Sequence, residues 1–296
     1  MHDLGDTAFT TLDLDGDAIL PNGEVVTNVT INSATGVDSS TTSDAATYTD
    51  EIVISGPVAG SDGTGDGFLE SNYDISYVAG DLTVNRRAAQ IIASVQEKDY
   101  GYVHDLGDIA FTVVDRDGGA LPNGETVNTV TLISENGIDA STDANVGTYA
   151  DNISVTPTST NDPTITGSEN FNQENYTFSY DTADLTINQA NLTVTADADQ
   201  TKVYGATDPT LTYSITGFEN GDEEADLDTG VSISRAAGED VDTYTITPSA
   251  AADSNYTVSF VTADFTITAA ALTVTADADQ TKVYGATDPT LTYSIT

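Results

Sequence analysis

Basic residues are scarce in this chain: seven Lys and Arg stand against 48 acids, a formal net charge of −41 at pH 7 over 296 residues. Nucleic acid and anionic membrane surfaces are held by clustered Lys and Arg, so neither is an expected partner. Cysteine is absent, which excludes disulfides and thiolate metal ligands. The absence decides little about compartment, because secreted bacterial repeat proteins commonly lack cysteine too. Only two histidines occur, His2 and His104, both in an HDLGD pentapeptide. A zinc site or a Ser-His-Asp arrangement therefore lacks its parts. No apolar run approaches the ~20 residues of a membrane span. Carboxylate pairs for glycoside hydrolysis can be drawn from any chain this acidic, but repetition of whole units argues against a single cleft, and no enzyme is expected.

What the chain has in abundance is repetition. Residues 192–216, LTVTADADQTKVYGATDPTLTYSIT, recur letter for letter as residues 272–296, an offset of 272 − 192 = 80. The unit of analysis is therefore a domain of roughly 80 residues. A closing segment, N-Y-x-[IFV]-S-[YF]-x-x-[AG]-D-[LF]-T-[IV], starts at Asn72, Asn175 and Asn255 and reaches its Asp at Asp81, Asp184 and Asp264. The first two units also share HDLGD, an LPNGE turn (residues 20–24 and 121–125) and a later tyrosine, Tyr48 or Tyr149. The expected domains are repeat 1 at residues 1–87, without its opening strand, repeat 2 at 88–189, repeat 3 at 190–269, and the start of repeat 4 at 270–296. The count of strands favours a window on a longer array over a subunit that donates a C-terminal strand into the vacant slot of repeat 1.

Periodicity assigns the local structure. In repeat 3, Leu192, Val194 and Ala196 alternate with Thr193, Thr195 and Asp197, and the same beat runs through Tyr213/Ile215, Tyr244/Ile246, Tyr256/Val258/Phe260 and Phe265/Ile267. Period two with β-branched and aromatic residues, broken by Gly, Asp, Asn and Pro, predicts short strands. The expected fold class is mainly β: a tandem array of small antiparallel β domains, Ig-like sandwich or β-grasp-like, with one short helix per repeat near residues 222–227. Tyr213, Ile215, Tyr244, Val258 and Phe260 are the expected core anchors. Only Gln189, Ala190 and Asn191 separate the last strand of repeat 2 from the first of repeat 3, and three alanines (269–271) follow repeat 3. So little slack predicts a semi-rigid rod in which each domain meets its neighbours.

The run from Leu192 onward, with K-x-Y-G-x-x-D-P-x-L-T-Y at residues 202–213 and the closing segment at Asn255, resembles the MBG repeat (type 2) of very large bacterial surface proteins and adhesins. Lys98-Asp99-Tyr100-Gly101 resembles the related YDG-type opening, although no D-P follows it. The resemblance implies an extracellular, cell-surface stalk or adhesive array, whose partners are adjacent repeats or like filaments, with glycans or mucin as the alternative ligand. It carries no catalytic residues.

Several side-chain groups are candidates for chemistry. Asp13, Asp15 and Asp17 with Glu24 place carboxylates at positions 1, 3, 5 and 12 of an EF-hand-like count, which suits calcium. Gly16 falls at position 4 instead of 6 and strands flank the loop, so an acidic hairpin turn competes with that reading. Asp115 and Asp117 are the matching candidates in repeat 2, with Glu125 at position 11. Asp197, Asp199 and Asp208, and the cluster Asp222, Glu223, Glu224, Asp226 and Asp228, are further divalent candidates; a calcium-bridged sheath polymer is the assembly they would support. Lys98, Lys202 and Lys282 share one repeat position. They are candidates for isopeptide links to Asn175 or Asn255, against the plainer reading of an ion pair with Asp208 or Asp288.

Overall fold

The computed structural model describes residues 20, 25–61, 70–156 and 165–296. The chain divides into two compact units, one made of residues 1–96, 105–137 and 150–185, the other of residues 97–104, 138–149 and 186–296. Both are mainly β, as the alternation predicts. Asp13, Asp15, Asp17 and Glu24 lie outside the described residues.

Repeat 3 contains two sheets. Its opening strand, Ala190–Ala196, buries Ala190, Leu192, Val194 and Ala196 and turns Asn191, Thr193 and Thr195 outward. That strand sits centrally: it pairs antiparallel with Tyr213–Thr216, placing Val194 opposite Ile215, and parallel with Tyr256–Val261, placing Leu192 opposite Val258. The second sheet runs in the order Gln200–Val203, Ala263–Thr268, Thr243–Ser249, Ser232–Arg235. Ala196 of the first sheet and Ile246, Phe265 and Ile267 of the second form one buried cluster, with Leu211, Ile233, Tyr244 and Ala263 packed on it. The two sheets thus share a core, which is the sandwich solution for strands with one apolar face.

Repeat 2 opens the same way. Arg87–Ala93 pairs parallel with Tyr176–Asp181 and antiparallel with Phe111–Asp115. A four-stranded sheet follows in the order Gln96–Asp99, Ala183–Asn188, Gly147–Val155, Leu132–Ser134. In repeat 1, Val25–Ser33, Thr47–Ser61 and Gly80–Thr83 form a three-stranded antiparallel sheet.

Gln200–Val203 also pairs parallel, with Ala263–Thr268. Side-chain alternation is identical in parallel and antiparallel strands, so the sequence pattern carries no sign of direction. The expected helix shrinks to a single 3-10 turn, Glu224–Asp226. Residues 222–228 hold five acids and one large apolar side chain, Leu227, so there is neither length nor an apolar stripe to sustain an α-helix.

None of the five expected anchors is fully buried, and the departure is largest at Phe260. Phe260 is 40% exposed, although the strand phase is as read: Tyr256 is buried, Val258 half-buried, and Thr257 and Ser259 exposed. Cover fades along the strand, leaving Phe260 near its uncovered end. Tyr213, Ile215, Tyr244 and Val258 are half-buried. In repeat 3 the fully buried positions include Leu192, Val194, Ile246, Phe265 and Ile267.

The duplicated tract makes a controlled comparison. Leu192 is fully buried, while its identical counterpart Leu272 is 70% exposed. Residues 272–296 form only the pair Val274–Ala276 with Tyr293–Ile295, and contain no equivalent of Tyr256–Val261 to lie beside the first strand. Here the partner strand, not the local sequence, decides the burial and length of the strand.

Candidate functional site at the repeat junction

The passage from repeat 2 to repeat 3 lies wholly inside the second compact unit. Strand Ala183–Asn188 ends one residue before Ala190–Ala196 begins, and an apolar cluster forms around that point. Tyr100, Ile187, Ala190, Leu192 and Tyr256 are buried together, with Val146, Tyr149, Ile215, Phe218 and Val258 against them. Tyr100 comes from the K-D-Y-G opening of repeat 2 and Tyr256 from the closing N-Y of repeat 3. Their rings meet edge to face, centroids 5.5 Å apart at 79°, and Phe218 meets Tyr256 at 5.9 Å and 87°. Such pairs add about 0.5–1.5 kcal/mol each beyond the area they bury.

Polar contacts fix the register of this cluster. The Tyr100 and Tyr256 hydroxyls both donate to Asp222 Oδ2, at 3.0 and 2.7 Å. The Glu219 amide donates to Tyr256 Oη at 3.0 Å, and the Tyr102 hydroxyl to Glu219 Oε1 at 3.1 Å. Burial first, and the neighbouring carboxylate second, push both buried phenols above the ordinary tyrosine range, so they remain hydrogen-bond donors at any physiological pH. Gly101 has φ +86°, and a Cβ placed on it would come 2.4 Å from Glu219 Cβ. Only glycine allows that approach.

Asn255 completes the junction. Its Oδ1 accepts from the Val146 amide at 3.0 Å and its Nδ2 donates to Asn145 Oδ1 at 3.2 Å, both in repeat 2. The first compact unit contains the same clamp one repeat earlier. Asn175 Oδ1 accepts from the Ala45 amide at 2.6 Å, and Asn175 Nδ2 donates to Asp44 Oδ1 at 2.8 Å. The tyrosine after each Asn is buried and tied to an acid of its own repeat, Tyr176 to Glu125 at 2.9 Å as Tyr256 is to Asp222. The N-Y dipeptide is therefore bifunctional: Asn reaches back to the preceding repeat while Tyr anchors the loop from which it reaches.

The lysines are engaged elsewhere, which corrects the isopeptide candidate. Lys98 is buried and donates to the carbonyls of Ile138, Asp139 and Ser141 at 2.5, 3.2 and 2.5 Å. Lys202 donates to Asp208 Oδ1 at 2.6 Å and to Glu239, and Arg235 bridges the same two acids. The Arg235 guanidinium lies over the rings of Tyr244 and Phe265, 5.3 and 5.1 Å from their centroids. Lys282 pairs with Asp288. The spacing K-x-Y-G-x-x-D-P thus brings its Asp back to its own Lys.

Residues 192–266 match the family model described as MBG domain (YGX type). Repeat 3 carries an MBG domain. The Tyr-Gly of that description falls at Tyr204-Gly205, inside the matched span. No curated protein matches the chain.

In the MBG domain and its neighbour several of the acids singled out from sequence have structural partners. Asp115 Oδ1 accepts the amides of Asp117 and Gly119 at 2.8 and 3.0 Å, while its Oδ2 and that of Asp117 face the Arg87 guanidinium at 2.5 and 3.0 Å. The Arg87 hydrogen bond, then the turn amides, hold the Asp115 carboxyl below the usual carboxylate range. Glu223 and Asp226 close the 3-10 turn on each other, Glu224 accepts the Tyr213 hydroxyl, and Asp228 accepts the Ser254 amide. Among the described residues no group of three or more His, Cys, Asp or Glu is gathered as a metal site, and no helix is long and apolar enough to cross a membrane.

Proposed function

We propose that this chain is part of the repeat region of a bacterial surface protein, a non-catalytic stalk in which each repeat is locked to the next. The observation that carries the reading is the junction: Tyr100, Phe218, Tyr256 and Asp222 form one packed cluster, and a single residue, Gln189, separates the strands on its two sides. A flexible tether would leave those aromatic faces in water. A repeated clamp, Asn175 on Ala45 and Asn255 on Val146, supports a device used at successive junctions. The MBG match is compatible with a surface-protein repeat. The acidic surface would keep such stalks solvated and apart, with repulsion screened beyond ~8 Å at physiological salt.

Two measurements test this reading. The full chain lengthened by one, two and three further 80-residue repeats should gain a constant increment in maximum dimension by small-angle scattering. An increment that shrinks with each repeat, as for a flexible or collapsing chain, would refute the stalk. Protease treatment of intact producing cells should release peptides of this chain; full protection in intact cells with release after lysis would refute a surface location.

A further inference from the structure

The end of repeat 3 reproduces the surface that repeat 2 presents to it, but uncovered. Lys202-Val203-Tyr204-Gly205 stands where Lys98-Asp99-Tyr100-Gly101 stands one repeat earlier. The backbones match: Gly205 has φ +84° beside +86° at Gly101. The Tyr204 amide donates to the carbonyl of Thr268 at 2.8 Å as the Tyr100 amide does to Asn188 at 2.9 Å, each acceptor being the last residue of its closing strand. The adjoining loop matches too, since the Tyr244 hydroxyl donates to the Asp240 carbonyl at 3.0 Å as Tyr149 does to Asn145 at 2.8 Å. That equivalence puts Val241 where Val146 receives Asn255. The environments differ. Tyr100 is 4% exposed and Tyr204 52%; Val241 is 55% exposed, and a Cβ on Gly205 would meet nothing within 4 Å.

We propose that this face, formed by Val203, Tyr204, Gly205, Asp240 and Val241, is the docking site for a further MBG repeat joined in sequence after repeat 3. The occupant is the loop pair equivalent to residues 217–222 and 253–256. Its phenylalanine and tyrosine would pack on the Tyr204 ring, its aspartate would accept the Tyr204 hydroxyl, and its asparagine would accept the Val241 amide. This occupant is already seated on the equivalent face of repeat 2. The chain after repeat 3 also restarts the same repeat, residues 272–296 being identical to 192–216. Asp240 replaces Asn145 at the point where the incoming asparagine donates its Nδ2, and Asp44 plays that acceptor role for Asn175. The inference rests on the stalk reading and adds that the lock is specific to the loop pair of this repeat type.

The test lengthens the full chain at Thr296 by a copy of residues 217–269, completing a fourth repeat. Tyr284→Phe is included in both the lengthened and the original chain so that the otherwise identical peptides differ in mass. Nitration by tetranitromethane, read by mass spectrometry, reports each tyrosine. In the lengthened chain Tyr204 should nitrate at least tenfold more slowly than in the original, approaching Tyr100, while protection of Tyr293 reports that the fourth repeat has folded. Replacing the copied Asn255 by Ala, or Gly205→Ala, should restore much of the Tyr204 reactivity. Tyr204 reacting as before beside a protected Tyr293 overturns the docking inference. Suppression of Tyr204 nitration in the original chain by a mucin glycopeptide, with none from the added repeat, would reassign the face to a ligand. Fast nitration of Tyr100 in either chain would instead refute the locked junction on which the stalk reading stands.

Discussion

Lys98 and Lys202 occupy the same place in successive repeats and shift in opposite directions. Burial pushes the Lys98 ammonium down, because backbone carbonyls and not carboxylates receive it. Hydrogen bonds to Asp208 and then Glu239 push Lys202 up. Arg235, then Lys202, hold the Asp208 carboxyl down at about 2. A carboxyl depressed in the folded state contributes stability above its unfolded value of ~3.9 and loses that contribution as pH falls toward 2. The melting temperature of the native chain should therefore fall more steeply between pH 4 and pH 2 than that of Asp208→Asn; parallel curves would contradict the network. The Lys202–Asp208 pair is legible in the motif, six residues apart and of opposite charge. The Lys98 acceptors are not, because residues 138–141 reach it only through tertiary packing. Burial depth was also hidden. Alternation identifies the inward face of Tyr256–Val261 but not where its cover ends, so Phe265→Ala should cost ~3–5 kcal/mol and Phe260→Ala clearly less in denaturant titrations. Equal losses would place Phe260 in the core after all.

At the scale of elements, two glycines separate backbone strain from junction packing. Gly101→Ala and Gly205→Ala both place an L-residue in the left-handed region, at φ +86° and +84°, a strain of about 1–2 kcal/mol in each case. Only the first also drives a Cβ into Glu219. Gly101→Ala should lower the unfolding free energy of the second compact unit more than Gly205→Ala does. Equal effects would mean that the 217–222 loop does not press on repeat 2. Strand positions and repeat ends were legible because period two and Gly/Asn/Asp breaks survive divergence between repeats. Strand direction was not, as the parallel pairing of Ala190–Ala196 with Tyr256–Val261 shows, since side-chain alternation is the same in either direction and the two segments are far apart in sequence. The N-Y dipeptide was visible as a recurring mark, yet its role at the junction depends on a partner in the preceding repeat.

At the scale of the whole molecule, the boundary between repeats 2 and 3 is a place of packing. In the sequence the junction appears only as a shortage of linker. Its aromatic content is scattered over Tyr100, Phe218 and Tyr256, which nothing in the local pattern groups together. The acidic character, legible from composition, has a second use that is not: Asp222 gathers two tyrosine hydroxyls from different repeats. If that cluster locks the repeats, residues on its two sides open together. Native-state amide hydrogen exchange followed by NMR reads this directly. The Tyr100 amide, bonded to the Asn188 carbonyl at 2.9 Å, and the Ala190 amide, bonded to the Asn255 carbonyl at 3.0 Å, should exchange with one common opening free energy. The Val146 amide should share it and become fast-exchanging in Asn255→Ala. A Tyr100 amide that opens well below the Ala190 amide, with Val146 indifferent to Asn255→Ala, would show that the repeats fold side by side without a lock and would contradict the account.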